Sequence, residues 1–200
     1  MTLVSHIETA GKFTVQQIPC HYYHEPVNLS VPSSGVLHTW EGTDWDGVVK
    51  EFKVKFAPHF IVGHKNGVAA IAQLIPVGWM GAALRGHNNM AIVQIEMAGF
   101  SKTTPWLPEP DLLDALCSLM VACNTTWGIP LSHPWPDDDW GKAGPNPHRS
   151  AGIFGKTAGW YGHQDMPFPD VHWDVGHMQW SKVFEKCKVM TTPPPATPVT

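Results

Sequence analysis

The densest set of reactive side chains lies between Gly162 and Gly176 (GHQDMPFPDVHWDVG). It holds His163 and His172 with Asp165, Asp170 and Asp174 in a stretch bounded by Gly and Pro. Such side chains are costly to bury without partners, and loops that carry them tend to serve a site. The bland alternative is that Asp165 and Asp170 cap turns while the imidazoles stay in water. Mixed imidazole and carboxylate donors instead suit a metal such as zinc, whose catalytic sites take three protein ligands and keep one position open. His163 and Asp174 can supply two ligands, and a third must come from a distant segment. His38 is the best placed, because apolar Gly35-Val36-Leu37 gives way there to Thr39-Trp40-Glu41-Gly42. Strand ends hold side chains rigidly over a cleft, as a ligand requires. A lone His at such a place is, taken alone, more often structural. The HExxH helix motif is absent, and the HYYHE run from His21 to Glu25 has the wrong order for its inverted form, so it reads as a surface or sheet-edge feature.

Glu96 is the second singular residue. It is the one charge in Ala91 to Phe100 (AIVQIEMAGF), an otherwise apolar strand pattern. A carboxylate is expensive to bury there unless it meets a polar cavity or partner. At a sheet edge it would point to water. Beside a metal, partial burial would tune it into a general base.

The elements that must position these groups are legible in outline. Gly35 to Thr39 reads as a short strand opening into a loop, and Val48 to Phe56 as a helix. His59 to Val62 and Val68 to Ile75 read as strands flanking Asn66-Gly67, a strong hairpin signal. Ala91 to Met97 reads as a central strand. Asp111 to Cys123 has helical apolar spacing after Pro110 and before Asn124. Residues 128–160 form a Pro- and Gly-rich excursion of the length that functional loops have. Met178 to Lys188 reads as a closing helix. Strands interleaved with helices plus one hairpin predict an α/β fold with a central mixed β-sheet flanked by helices.

Composition narrows the possible partners. The 200 residues carry a net charge of −4 with 43 % hydrophobic residues, which suits one cored domain without a basic surface. Nucleic acid is therefore not an expected partner. No apolar window is long enough to span a membrane, and the first residues lack the pattern of a secretory signal. Ten Trp offer core packing or flat surfaces for carbohydrate, and Trp40, Trp45, Trp160 and Trp173 are the candidates for a groove. Cys117 and Cys123 read as buried thiols, and a Cys20–Cys187 disulfide joining the chain ends is conceivable. Thr191 to Thr200 (TTPPPATPVT) reads as a Pro/Thr linker after a domain of residues 1–190. That tail suggests a domain cut from a longer protein, or one that carried another module.

Taken together, four segments resemble the zinc amidase family of phage lysozyme-type amidases, bacterial muropeptide amidases and peptidoglycan recognition proteins. GVLHTWEG is similar to its first-ligand segment, and PHFIVGHKNG with AAIAQLIP to its paired strands. HNNMAIVQIEMAG is similar to its Asn- and Glu-bearing strand, and GHQDMP…HWDVG…W to its second- and third-ligand segment. The resemblance covers about residues 36–184. It implies zinc (Zn2+) as cofactor, His38, His163 and Asp174 as ligands and Glu96 as general base. It places His172 where relatives carry a Lys or His two residues before the third ligand, beside the developing oxyanion. His172 replacing Asp174 at the metal is the alternative. Asn89, Trp40, Trp173 and His59 are the implied or candidate substrate contacts. Leu84-Arg85-Gly86 stands where relatives often carry a Trp-His pair. The implied activity is an N-acetylmuramoyl-L-alanine amidase, a monomer acting on peptidoglycan of the bacterial cell wall. A phage endolysin, or a secreted autolysin domain, fits it, and the module expected beyond the Pro/Thr linker would then be a C-terminal wall-binding domain. A catalytically inactive wall-binding module and a zinc peptidase cutting within the stem peptide are the rivals.

Overall fold

Alternation along one strand divides the molecule into its two faces. In β6 (Val93–Met97), Val93, Ile95 and Met97 enter the main core, as do Leu37 of β3 (Ser34–Thr39) and Phe60 and Val62 of β4 (Phe60–Lys65). That core is closed by α2 (Pro110–Trp127), which contributes Leu112, Leu116, Leu119 and Met120, and by α4 (Trp180–Thr191), which contributes Val183, Phe184 and Cys187. Successive strand side chains point to opposite faces, so Gln94 and Glu96 project to the other side. There α1 (Trp45–Phe52) buries Trp45, Val48 and Phe52 against Ile61 and Ala72. The polar residues of an otherwise apolar strand are thus collected on the face that carries the site.

This computed structural model describes residues 4–20, 25–27, 33–102, 106–137 and 144–191. The HYYHE run before Glu25 and the Pro/Thr segment after Thr191 lie outside the described residues. With β1 (Thr9–Ala10), β2 (Phe13–Gln17), β5 (Val68–Gln73) and β7 (Gly159–Gly162), the sheet has seven strands in the order β1-β2-β5-β4-β6-β3-β7. The β1–β2 and β4–β5 pairs are antiparallel, and the other pairs are parallel. The expected mixed sheet flanked by helices is therefore present. The β4–β5 hairpin turns on Asn66 and Gly67, both with positive φ (53° and 75°), as this two-residue turn demands.

Several boundaries differ from the sequence expectation, each for a local reason. The first helix starts earlier, at Trp45, because the Asp44 carboxylate accepts from Gly47 N at 3.1 Å and caps it. It ends at Phe52, and Phe56 lies in the left-handed region beyond it. The second helix runs past Asn124 to Trp127, where Gly128 (φ 69°) supplies the left-handed cap. Trp127 anchors that last turn by donating from Nε1 to Val4 O at 2.7 Å. The strands β1, β2 and β7 had no strong signal: β2 is a mostly polar strand, and β7 is four residues between glycines. Within the 128–160 excursion only α3 (Ala151–Phe154) and the start of β7 are regular among the described residues. No helix among them is long and apolar enough to cross a membrane.

The Cys20–Cys187 disulfide is not formed: all four cysteines are buried and none is in a disulfide. Cys20 packs with α1 on one face of the sheet, while Cys187 belongs to the core on the other.

Candidate metal centre

His38 and Glu96 are Cα partners in the parallel β3–β6 ladder, and Leu37 pairs with Gly162, the last residue of β7. His163 follows as the first residue of a 3-10 turn (His163–Asp165). Three adjacent strands therefore deliver His38, Glu96 and His163 to one end of the sheet. Asp174 arrives from the loop that doubles back over this end, fixed by Gln164 N donating to Asp174 O at 2.7 Å. Thr39 N lies 3.4 Å from Asp174 Oδ2 and donates to it.

The nitrogen pair His38 Nδ1 and His163 Nδ1 lie 3.0 Å apart, with Asp174 oxygens 3.7 Å from the first and 3.4 Å from the second. All three side chains are buried, and one donor atom from each falls within 4.8 Å of the others. Two ring nitrogens aimed at each other repel unless a proton or a cation sits between them. Two imidazoles and one carboxylate form the donor set of a catalytic zinc site with a position to spare, so these residues fit the metal.

The electrostatics are strongly perturbed. Burial, with His163 close by, pushes His38 down to about 3. Burial would lower His163 as well, but its bonds to Asp170 and Asp174 outweigh that and hold it up at about 9. Burial would raise Asp174, yet the His163 imidazole keeps its carboxyl below the usual range. Burial and then the Asp174 charge push Glu96 well above the usual carboxylate range, and Glu96 Oε2 is a buried oxygen without a hydrogen-bond partner. Perturbed groups of this kind cluster at functional sites.

Glu96 also lies where two hollows meet. One, of about 570 Å³, is lined by Phe52, Phe56, Arg85 and Asn88 and has Thr39, His163, His172 and Asp174 along its walls. The other, of about 530 Å³, shares Phe52 and Glu96 and continues past Trp40, Asp44 and Glu51.

The remaining predicted residues separate into near and far. His172 stacks on His163 with ring centroids 3.9 Å apart, lines the larger hollow, and is half exposed. Trp40 borders the smaller hollow. Trp173 lies under the Lys102 ammonium at 5.1 Å and is not among the residues lining either hollow. Asn89 is exposed, in the 3-10 turn Asn88–Met90, and its neighbour Asn88 is the one that lines the cleft. His59 is a core histidine: Nε2 bonds Trp79 O at 2.9 Å and Nδ1 accepts from Gln94 N at 3.0 Å. Trp160 is wholly buried in the main core, and Trp45, the first residue of α1, is buried in the smaller core between that helix and the sheet.

Two groups went unassigned in the sequence. Asp165, read there as a possible turn cap, is fully buried and accepts from Gly162 N (2.7 Å), His133 Nε2 (3.1 Å) and Asn146 Nδ2 (3.1 Å). It ties the long excursion to the His163 turn. Asp170 touches both His163 and His172. Its clustering with the two imidazoles was the available signal, but nothing in the spacing assigned it a task.

No family model matches the sequence, and no curated protein sequence matches it. Solved structures do match in fold. A mutant structure of PlyL superposes with a TM-score of 0.55 over 88% of this chain and 99% of that one, at 11% identity. The N-acetylmuramoyl-L-alanine amidase LysC from Clostridium intestinale gives 0.53 over 88% and 99%, at 15% identity. The Staphylococcus aureus hydrolase AmiA in complex with its ligand gives 0.55 over 88% and 84%, at 9% identity. The chain thus has the N-acetylmuramoyl-L-alanine amidase fold, the fold expected from the sequence resemblance.

Proposed function

We propose that this protein is a zinc-dependent N-acetylmuramoyl-L-alanine amidase, hydrolysing the amide between the lactyl group of the muramic acid and the first alanine of the stem peptide. The observation that carries the reading is the convergence of His38, His163 and Asp174 on one point, with buried Glu96 beside them where two hollows join. The fold it shares with a named amidase supports the same reading.

His38 Nδ1, His163 Nδ1 and a carboxylate oxygen of Asp174 would hold the metal. When bound, zinc supplies Lewis acidity and brings the pKa of its water down to about 7. Glu96 takes a proton from the attacking water and later returns it to the leaving alanine nitrogen. His172 uses Nδ1 on Asp170, which leaves Nε2 for the cleft. When protonated, that nitrogen donates to the carbonyl oxygen as it gains negative charge. Phe52 and Phe56 help exclude water from one side, and Trp40 offers a flat surface to sugar or peptide on the other.

The deciding experiment is mass spectrometry of cell wall digested with the purified protein. New N-terminal alanine on intact stem peptides is the expected product. New reducing sugar ends would indicate a glycosidase, cuts within the stem a peptidase, and tight binding without products a recognition module of the same fold.

A further inference from the structure

One carboxylate is shared between the two histidines that flank the open side of the centre. Asp170 Oδ2 lies 3.1 Å from His163 Nε2, and Asp170 Oδ1 lies 2.7 Å from His172 Nδ1 and 2.9 Å from His172 N. The Asp170 side chain is only 1% exposed, so both oxygens are committed to these partners. Arg149 holds the loop from the other side, with Nη2 3.5 Å from Asp170 O.

We propose that Asp170 is a positioning residue that sets both histidines at once, an assignment that rests on the proposed zinc chemistry. A carboxylate can only accept, so each nitrogen facing it carries a hydrogen. For His163 the hydrogen therefore sits on Nε2, and the lone pair is left on Nδ1, the atom aimed at His38 and Asp174. For His172 the hydrogen sits on Nδ1, and Nε2 is directed to the substrate side. The parallel stack of the two rings, 16° between planes, follows from both being pinned to opposite oxygens of one group. Metal affinity and the orientation of His172 are thereby set by one side chain. Carboxylates behind metal-ligating imidazoles commonly fix the tautomer of one ring; here the same carboxylate fixes a second ring that is not a ligand.

Asn is the diagnostic replacement, because it keeps the shape and cannot serve both partners. With its NH2 toward His163, Nε2 must accept and the hydrogen moves to Nδ1, where it blocks the metal. With the amide turned over, the NH2 meets the N–H groups of His172. Asp170→Asn should therefore weaken zinc binding about 10–100-fold in a chelator competition titration. His172→Ala should keep wild-type zinc affinity and lose kcat, and adding it to Asp170→Asn should lower kcat less than the product of the single effects. Zinc affinity unchanged within about twofold in Asp170→Asn, or kcat losses that simply multiply, would overturn the assignment. Nitrogen-15 NMR of the zinc-loaded wild-type protein checks it without any variant. It should show His163 protonated on Nε2 and His172 on Nδ1; a proton on His163 Nδ1 or a bare His172 Nδ1 would overturn it. A wild-type protein that binds no zinc would overturn both this assignment and the proposed function, whereas normal zinc binding with an indifferent Asp170→Asn would remove this assignment alone.

Discussion

His38 and Glu96 sit directly opposite each other on neighbouring parallel strands, so an imidazole and a carboxyl group rise side by side from the same face of the sheet. Strand backbones set where both side chains start. Chemistry that needs a fixed ligand and a fixed base has both on rigid supports.

Replacing Glu96 with Gln should leave about one zinc per chain and reduce turnover by roughly 10²–10⁴. Metal analysis together with product formation on purified wall checks both halves. Full activity in this variant would remove Glu96 from the mechanism.

His163→Ala should abolish stoichiometric zinc, because it removes one of three donors and the ring that Asp170 orients. Elemental analysis after dialysis reads this directly. An active wild-type protein free of metal would sink the whole proposal.

The fold should lose stability in mild acid through His59. Burial lowers this ring from 6.5 to about 4, since protonation would put a charge into the core and cost the bond it accepts from Gln94 N. A depressed folded-state pKa means the unfolded chain binds more protons below 6.5. The contribution is therefore complete above that pH and is lost progressively as pH falls towards 4. It is on the order of 3 kcal/mol. Urea unfolding of wild type and His59→Gln between pH 4 and 7 should show a flatter pH dependence in the variant.

Asp165→Ala should be severely destabilising, by about 3–5 kcal/mol, because a buried acceptor of three hydrogen bonds is removed and its donors are left unsatisfied. Thermal unfolding checks the size of the loss.

Gly35→Ala should also destabilise the protein, by about 1–3 kcal/mol. A Cβ at Gly35 would run into the ring of Trp160, which is fully buried across the β3–β7 pair and cannot swing away. A melting temperature equal to wild type would show that the ring can move.

Much of the site could be read from local pattern. The alternation in Val93-Gln94-Ile95-Glu96-Met97 already sets Glu96 on the face opposite the main core, and Asn66-Gly67 marks the hairpin. The end of the second helix was misplaced at Asn124 because what extends it is a tertiary anchor, Trp127 on Val4, followed by a left-handed Gly128. His59 looked like a candidate contact because a histidine beside a strand carries no mark of which backbone groups will use its nitrogens. Trp160 was misjudged for the same reason: large aromatic rings serve cores and binding surfaces equally well.

By itself the sequence determined the residue types that chemistry needs, the alternating faces of the central strands and the polar loop that ends in Asp174, because these depend on short-range periodicity and turn geometry. Only the tertiary structure decided that His38 and His163 face each other at 3.0 Å across a separation of 125 residues, and that Asp170 bridges two histidines. Strand order and loop return fix those distances, and both are set by how the sheet closes its core, which no local pattern encodes.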